Sequence, residues 1–267
     1  MTEELEVALV AAREGGRIAL DHAARGVRAE WKGAGDLVTA ADRAVQRAII
    51  SVVGEAFPDD QVVGEEGEPL PEQSVAGTRR WYIDPIDGTS NYLKGRHWWG
   101  VSVAYCDPDD HVAAGVVYLP VLGETFAAAE GGGATRNGAP IQCSPVTDFA
   151  EALCCSGFPG AESMRETSER NLGAWSRVMR RALSVRATGA VAPDWCSVAG
   201  GLADGSWTLG VGRWDIAAGT IIAREAGATV TDLDGISLRG PGTAGVVATP
   251  AIHVELLSLV HGTGGER

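Results

Sequence analysis

A short polar segment follows an apolar one near residue 84, and it limits what this chain can fold into. Residues 80–83 read Arg-Trp-Tyr-Ile, an aromatic and branched run that predicts a buried strand ending at Asp84. Residues 84–89 read Asp-Pro-Ile-Asp-Gly-Thr, in which Pro85 fixes φ and Gly88 relaxes the steric limits, so we expect a tight bend. Because two carboxylates held this close repel each other, the fold must bring them a cation or another partner.

The chemistry of this bend favours a metal beside an anion. Hard divalent cations such as Mg²⁺ prefer carboxylate and backbone carbonyl oxygens. The N–H groups around Gly88 and Thr89 could hold an anion at the start of a helix. A metal next to an anion pocket indicates phosphate chemistry, with an ordinary Asp-Pro turn as the alternative that six residues leave open.

The composition describes a globular protein with an acidic surface. The chain has 267 residues, 45% hydrophobic and 21% charged, which is enough for one large domain or two closely packed ones. A net charge of −13 argues against binding to nucleic acid or to an anionic membrane. It also means that a phosphate substrate is repelled until bound cations reverse the local field.

Cysteine usage and the N-terminus predict a cytoplasmic location. The sequence has five cysteines without Cys-x-x-Cys spacing, which favours small, buried, reduced thiols. No secretion signal precedes the first helical pattern, and no stretch is long and apolar enough to cross a bilayer. The cysteines are Cys106, Cys143, Cys154, Cys155 and Cys196.

The pattern of apolar residues changes near residue 145. Before it, two amphipathic helices precede hairpin-linked strands, which predicts an α+β half at residues 1–145. After it, short β-type runs alternate with helical segments, which predicts an α/β half at residues 146–267. The predicted strands cover residues 61–64, 81–84, 101–106, 112–118, 124–129, 207–211, 228–231 and 245–248. The predicted helices begin near residues 5, 39 and 215, and a closing helix runs through residues 256 and 257.

Three further acidic residues lie at the ends of predicted elements. Glu65 closes a short apolar strand, and a solvated acidic loop is the alternative explanation for it. Asp215 begins a helix, where a plain N-cap is the alternative. Asp42 lies three residues after Thr39, which also fits a capping box.

Other hydrolytic or nucleotide-binding mechanisms lack their motifs. The five histidines form no His-x-x-x-His pair, so a zinc hydrolase is disfavoured. The sequence has no Gly-x-x-x-x-Gly-Lys phosphate loop and no Gly-x-Ser-x-Gly elbow, and Gly210 and Gly212 are not followed by the third Gly of a dinucleotide fingerprint.

Four segments together resemble the inositol monophosphatase family of Mg²⁺-dependent, lithium-sensitive phosphatases. Residues 81–94 fit the family's first long motif, and residues 214–228 fit the second. Residues 36–42 and 63–66 match two shorter upstream motifs in the right order. The resemblance extends from about residue 32 to about residue 247. It implies a layered αβαβα sandwich with the metal site between the halves, and a homodimer.

The resemblance implies a ligand set for two or three Mg²⁺ ions. Glu65, Asp84 and the backbone carbonyl of Ile86 would hold the first ion. Asp84, Asp87 and Asp215 would hold the second, so that Asp84 bridges the two, and Glu65 would share a third, weaker ion.

The resemblance also implies catalytic and substrate-binding residues. Gly88 and Thr89 would bind the phosphate through backbone N–H groups, while Thr89 and Asp42 would orient and deprotonate the attacking water. The implied catalytic residues are therefore Glu65, Thr89 and Asp42. The implied substrate-binding residues are Gly88, Thr89, Ser90, Arg186, Val191, Asp194, Thr208 and Asp215.

One departure from the family concerns the leaving alcohol. Inositol phosphatases have a Glu, seven residues before the Asp that matches Asp215, that contacts sugar hydroxyls, and this chain has Thr208 there. Trp98 and Trp99 follow the metal-binding bend and are bulky. Core packing is the favoured explanation for both, and an aromatic wall for a base or an imidazole is the alternative.

The sequence leaves three functions open. The favoured one is a phosphatase acting on a small phosphorylated alcohol such as an inositol phosphate, a sugar phosphate or histidinol phosphate. A nucleotide phosphatase of the same superfamily, acting on adenosine 3′- or 2′-phosphates, is the first alternative. Ser90 and Asn91 after Asp-Gly-Thr disfavour it, because those enzymes more often have Lys-Glu there. The second alternative is a non-catalytic binding protein, since some relatives join transcription complexes.

Overall fold

The computed structural model describes residues 1–26, 29–33, 36–66, 77–157 and 165–262. These residues form five alternating layers: a helix pair, a seven-stranded sheet, a second helix pair, a five-stranded sheet and a third helix pair. The predicted αβαβα sandwich is confirmed.

The first helix layer consists of α1 (Glu3–Ala24) and α2 (Ala40–Ala56). Both begin at a threonine, because the side chains of Thr2 and Thr39 accept hydrogen bonds from the first-turn N–H groups. Their apolar faces pack on the first sheet through small and branched side chains. Between them, β1 (Ala29–Gly33) and β2 (Asp36–Thr39) form an antiparallel hairpin that the sequence did not predict.

The first sheet follows the chain order from β3 to β9. Only β3 and β4 are parallel, and each later strand is antiparallel to its neighbour. The strands are β3 (Gln61–Gly64), β4 (Arg80–Asp87), β5 (Gly100–Cys106), β6 (Val112–Leu119), β7 (Glu124–Ala129), β8 (Ala134–Arg136) and β9 (Ala139–Pro140).

The end of β4 corrects one prediction. The strand does not stop at Asp84 but continues to Asp87, with a register shift between these residues against β5. Asp84 lies opposite Ser102 and Asp87 opposite Gly100, so β4 has one more residue than β5 in this interval. Pro85 has no N–H to donate to the ladder, so a bulge forms here rather than a chain reversal. The bend follows at Gly88, where φ is 93° and α3 (Thr89–Leu93) begins.

The middle helix layer consists of α5 (Val191–Ala199) and α6 (Arg213–Glu225). It packs against both sheets, and its side chains form the largest buried cluster together with residues of β4 to β8. Trp195 of α5 and Ile216 of α6 are fully buried there.

The second sheet has the order β11-β10-β12-β14-β13. β10 is parallel to β11 and β12, whereas β14 is antiparallel to β12 and β13. The strands are β10 (Leu153–Cys155), β11 (Ser184–Arg186), β12 (Gly205–Leu209), β13 (Thr229–Thr231) and β14 (Ala244–Ala248). Its outer face is covered by α4 (Arg165–Met179) and α7 (Pro250–His261).

The predicted division near residue 145 falls between β9 and β10. The division into two separate halves stays a prediction, because α5 and α6 of the second half share one core with the first sheet.

All five cysteines are free thiols, and four of them are buried. Within the described ranges, no helix combines the length and the apolar character that a bilayer span requires.

Candidate active site

Three carboxylates from two distant parts of the chain meet between the first sheet and the middle helix layer. Asp84 and Asp87 come from the bulged end of β4, and Asp215 comes from the first turn of α6. One oxygen atom of each lies within 4.8 Å of the corresponding oxygen of the other two. Asp84 and Asp87 are buried and Asp215 is partly buried, so water screens their charges poorly.

Backbone N–H groups fix the orientation of all three carboxylates. Asp84 accepts a hydrogen bond from the Ile86 N–H at 3.0 Å, which closes the bulge. Asp215 accepts one from the Gly212 N–H at 2.6 Å, at the start of α6. Asp87 accepts hydrogen bonds from the Val191 N–H at 3.1 Å and from the Ala192 N–H, both at the start of α5. Each carboxylate is therefore preorganised before any ion binds.

The electrostatics of this group require positive charge. Burial raises the pKa of Asp84 well above its ordinary value, and the charges of Glu65, Asp87 and Asp215 raise it further. Burial and Asp215 also raise the pKa of Asp87, against the N–H groups of α5 that lower it. Burial raises the pKa of Asp215 to about 6, although its hydrogen bonds to Asp84 and Gly212 lower it. A cation among them would lower these pKa values and favour the ionised form of all three carboxylates at neutral pH.

The donor set fits a hard divalent cation. It consists of carboxylate oxygen atoms alone, and the predicted use of the Ile86 backbone carbonyl as a further ligand stays a prediction. Glu65, the fourth predicted acidic ligand, follows β3 and donates its N–H to the Ile83 carbonyl at 3.3 Å. Its charge reaches Asp84, as the raised pKa of Asp84 shows.

Gln46 of α2 holds the segment after β3, a role that the sequence did not reveal. Its side-chain oxygen accepts the Glu66 N–H at 2.8 Å, and its side-chain nitrogen donates to the Glu66 carbonyl. Gly64 leaves room for this contact, because a Cβ atom there would lie 2.3 Å from the Gln46 oxygen. Gln46 thereby fixes the backbone next to Glu65.

Gly88 and Thr89 lie where β4 turns into α3. A side chain on Gly88 would lie 3.0 Å from the Ala190 Cβ and 3.3 Å from the Trp98 carbonyl, so glycine is required by space as well as by its positive φ. The Thr89 hydroxyl donates to the Ile86 carbonyl at 3.2 Å. Ser90 is exposed in the first turn of α3.

Asp42 forms the predicted capping box with Thr39. Its carboxylate accepts the Thr39 N–H at 2.8 Å and the Thr39 hydroxyl, and the Asp42 side chain is fully buried. Burial, with the charge of Asp42 as a second cause, raises the pKa of Tyr92 to about 12, so Asp42 lies near α3. The capping role is confirmed, while a link between Asp42 and Thr89 stays a prediction.

Comparison with known proteins decides the family. The model of the inositol monophosphatase family matches residues 1–263. The chain belongs to the inositol monophosphatase family. The resemblance drawn from the four motifs is thereby confirmed, and the activity class is that of a phosphomonoesterase.

Relatives of this family cover nearly the whole chain. A Thermotoga maritima fructose-1,6-bisphosphatase/inositol-1-monophosphatase is 34% identical over 97% of this chain and 96% of its own length. A Pseudomonas aeruginosa protein named Nus factor SuhB is 32% identical over 88% of this chain and 87% of its own. The solved structure of a Thermotoga maritima IMPase superimposes with a TM-score of 0.86, at 32% identity and 98% coverage of both chains.

The residues predicted to face the leaving alcohol lie in different environments. Val191 is partly buried and donates its N–H to Asp87. Arg186 is exposed at the end of edge strand β11, where it bonds to Ser184 and to the Val185 carbonyl. Thr208 is 3% exposed on β12, opposite Gly245 of β14. The roles of Arg186, Val191 and Thr208 in binding the substrate therefore stay predictions.

Two further polar residues, one on β5 and one on α3, join these elements to later parts of the chain, and the sequence did not predict either contact. Ser102 donates its hydroxyl to the Trp214 carbonyl, one residue before Asp215. Asn91 donates its side-chain N–H groups to the Trp98 and Thr188 carbonyls. Both residues are buried, and for Ser102 a polar residue inside an apolar strand was the available signal.

Proposed function

We propose that this chain is a Mg²⁺-dependent phosphatase that hydrolyses a small phosphorylated alcohol by direct attack of water on phosphorus. The observation that carries the proposal is the group of three buried carboxylates within 4.8 Å, held in place by backbone N–H groups. A binding protein has no need of a preorganised cation site whose carboxylates repel one another.

The family motifs supply the assignment of the metal ligands. Glu65, Asp84 and the Ile86 carbonyl would hold one Mg²⁺, while Asp84, Asp87 and Asp215 would hold a second, with Glu65 also sharing a third. Bound Mg²⁺ would supply the positive charge that this acidic chain lacks, polarising water and offsetting charge on the leaving oxygen.

The remaining steps belong to the protein. The N–H groups of Gly88 and Thr89, at the start of α3, would bind the phosphate oxygens. The Thr89 hydroxyl and Asp42 would orient the attacking water and take its proton. The P–O bond to the alcohol then breaks as the new P–O bond forms, which yields inorganic phosphate and the free alcohol.

Release of inorganic phosphate from a panel of substrates tests this function. The panel contains inositol 1-phosphate, sugar phosphates, histidinol phosphate and adenosine 2′- and 3′-phosphates, each with Mg²⁺ and with EDTA. We expect release with Mg²⁺ and none with EDTA. Asp84→Asn should abolish release, whereas Asp109→Asn, in the exposed turn between β5 and β6, should not.

A separate measurement addresses Mg²⁺ binding without turnover. Mg²⁺ should raise the melting temperature of the unmodified protein and of Asp109→Asn, and raise that of Asp84→Asn much less. Activity that persists in EDTA, or a melting temperature indifferent to Mg²⁺, contradicts the metal mechanism.

A non-catalytic role is the second candidate, because several relatives have the name Nus factor SuhB. Such a role predicts binding that survives Asp84→Asn. Failure of the whole panel, together with intact Mg²⁺ binding, would favour this candidate over catalysis.

We also propose a homodimer that forms through the edge of the second sheet. Leu172 and Met179, each 58% exposed, lie seven residues apart on one face of α4. Leu183, 69% exposed, directly precedes the edge strand β11. Light scattering after gel filtration should give twice the mass of 27.7 kDa, and Leu183→Glu should lower it. Val254→Glu, at an equally exposed site on α7, is the control.

A further inference from the structure

Asp194 of α5 has a buried carboxylate that already accepts hydrogen bonds from two other side chains. It is 2% exposed, and its Oδ1 atom accepts hydrogen bonds from the Thr188 hydroxyl at 2.6 Å and the Trp98 indole N–H at 3.1 Å. Trp98 is 96 residues away in sequence. A carboxylate that is this deeply buried and accepts two hydrogen bonds from the protein is poorly placed to contact the alcohol part of a substrate directly.

The same two segments are joined a second time. The side-chain nitrogen of Asn91 donates to the Trp98 carbonyl at 2.7 Å and to the Thr188 carbonyl at 2.8 Å. Trp98 is therefore held at its backbone by Asn91 and at its indole by Asp194. Two independent attachments leave the indole little freedom to rotate.

Trp98 lies beside the turn that is expected to hold the phosphate. Its carbonyl oxygen is 3.3 Å from the place that a Cβ atom on Gly88 would occupy, with the Ala190 Cβ on the other side at 3.0 Å. The next residue after Ala190 donates its N–H to Asp87. The Trp98 backbone thus adjoins the phosphate turn, and the start of α5, which holds the indole through Asp194, also binds Asp87.

Trp98 and Trp99 differ in their surroundings. Trp99 is 2% exposed and stacks edge-on against Tyr92, with ring centroids 4.9 Å apart, so it is a core residue. Trp98 remains partly exposed although its indole N–H is satisfied. Part of Trp98 packs against the main core cluster, and its exposed part is free to contact a second partner such as a flat ring.

We propose that Asp194 is a positioning residue that fixes the Trp98 indole as one wall of the pocket for the leaving alcohol. The wall selects phosphorylated alcohols that contain a flat aromatic ring, because such a ring can stack on the indole. This inference rests on the proposed phosphatase function and names the substrate class of that site. It assigns Asp194 no direct contact with the substrate.

The kinetic test compares variants of Asp194. Asp194→Asn keeps an acceptor oxygen for Trp98 and Thr188, and it should leave KM for histidinol phosphate and adenosine 3′-phosphate within about twofold. Asp194→Ala and Trp98→Leu should raise that KM about tenfold, the scale of a lost stacking or charged contact, with kcat little changed. The inhibition constant of inorganic phosphate, which needs no alcohol pocket, should stay the same in all three.

A matched control separates positioning from general destabilisation. Asn171 of α4 accepts the Trp207 indole N–H at 2.7 Å, in the core between the second sheet and its outer helices. Asn171→Ala should lower the melting temperature without changing KM. If Asp194→Asn raises KM as much as Asp194→Ala does, the charge acts on the substrate itself and the positioning role is wrong.

A spectroscopic test is independent of turnover. In protein labelled with 5-fluorotryptophan, Trp98→Phe assigns the Trp98 fluorine resonance. Asp194→Ala should shift that resonance and Asp194→Asn should not. Histidinol phosphate with Mg²⁺ should shift it, and inorganic phosphate with Mg²⁺ should not. If aromatic phosphates do not shift the Trp98 resonance, the indole does not line the alcohol pocket, even if the protein is active. If they do shift it, the proposal is supported even when no turnover is detected.

Discussion

Ser102 donates its hydroxyl proton to the backbone carbonyl oxygen of Trp214, 3.3 Å away and 112 residues later in the chain. Ser102 is fully buried on β5, directly opposite Asp84 on β4. Trp214 immediately precedes Asp215 on α6. The bond therefore ties β5, the neighbour of the strand with the first two carboxylates, to the helix with the third, and it helps to set the distance between the two groups.

The first prediction concerns Ser102→Ala. Loss of the buried hydroxyl leaves the Trp214 carbonyl with one fewer donor, which should cost about 1 kcal/mol of stability. Because α6 can then shift against β4, the Mg²⁺ concentration for half-maximal activity should rise several-fold. Ser197→Ala is the control, since its buried hydroxyl donates to the Pro193 carbonyl at 3.0 Å inside α5. It should lose similar stability and keep the Mg²⁺ dependence. An unchanged Mg²⁺ dependence in Ser102→Ala contradicts the coupling.

The second prediction is that Asp84→Asn acts on activity and on metal-free stability in opposite directions. The rate should fall by several orders of magnitude, on the order of 4 kcal/mol or more, because Asp84 is proposed to bridge two ions. In EDTA the variant should melt at a higher temperature than the unmodified protein, since one buried charge is removed from a repelling group. Calorimetry in EDTA and phosphate release in Mg²⁺ measure the two effects. A lower melting temperature in EDTA would show that Asp84 is not under repulsion.

The third prediction is a pH dependence of stability without metal. Burial raises the pKa of Asp194 to about 7 and that of Asp215 to about 6 in the folded protein, from an unfolded value of 3.8. A carboxyl whose folded pKa is higher binds its proton more tightly when folded. Its stabilising effect is complete below about pH 4 and is lost as the pH rises through 6 to 7. The loss is about 1.4 kcal/mol for each pH unit that separates the folded pKa from the unfolded one.

The melting temperature in EDTA should therefore rise as the pH is lowered from 8 to 5. Mg²⁺ should raise it more at pH 8 than at pH 5, because protons compete with the ion for the same oxygens. Differential scanning calorimetry at both pH values, with and without Mg²⁺, measures this. A metal-free protein that becomes less stable between pH 8 and pH 6 would contradict these pKa directions.

Four strands of the first sheet, β3, β5, β6 and β7, could be predicted from the sequence with nearly correct bounds, whereas β4 runs three residues further than predicted and the short β8 and β9 were missed. β5, β6 and β7 have apolar runs separated by recognisable turns, and tertiary packing did not override that local signal. β10 and β11 have three residues each, too few for any period to appear. α5 was missed because the middle layer buries it on every side, so it shows no polar face, and Pro193 lies in its first turn.

The site could be predicted only where its residues are close in sequence or belong to a recognised motif. Asp84, Asp87 and Asp215 meet as the motifs imply. The contact between Trp98 and Asp194 joins residues 96 positions apart, and nothing in either segment indicates the other. The prediction that Trp99 packs in the core is confirmed, whereas Trp98 stays partly exposed.

The fourth prediction separates water activation from helix capping at Thr89 and Asp42. If the two residues prepare the water, Thr89→Ala and Asp42→Asn should each lower kcat at least tenfold while KM stays nearly constant. Asparagine can still accept the Thr39 N–H, so Asp42→Asn should lose no more than about 1 kcal/mol of stability. Thr2→Ala is the matched control, since the Thr2 hydroxyl caps a different helix, α1, by accepting the Leu5 N–H at 3.3 Å. It should lower the melting temperature and leave kcat per folded molecule unchanged. If Asp42→Asn turns over substrate at the normal rate, Asp42 caps α2 and does not activate the water.

The last prediction concerns substrate choice at Thr208. This residue stands where inositol phosphatases have a Glu that contacts sugar hydroxyls, and it is buried on β12. A missing charged hydrogen bond weakens recognition of a hydroxyl by about 1.5–3 kcal/mol, or roughly ten- to a hundredfold. Inositol 1-phosphate should therefore be a poorer substrate than phosphates with a base, an amine or an imidazole.

Thr208→Glu should shift kcat/KM toward inositol 1-phosphate. Thr208→Gln, with the same length and no charge, should shift it less, and Thr208→Val tests whether the hydroxyl has a role of its own. Because a buried carboxylate costs stability, turnover is compared per folded molecule at a temperature well below each melting point. If the unmodified protein hydrolyses inositol 1-phosphate better than every other compound in the panel, Thr208 does not determine the choice of alcohol.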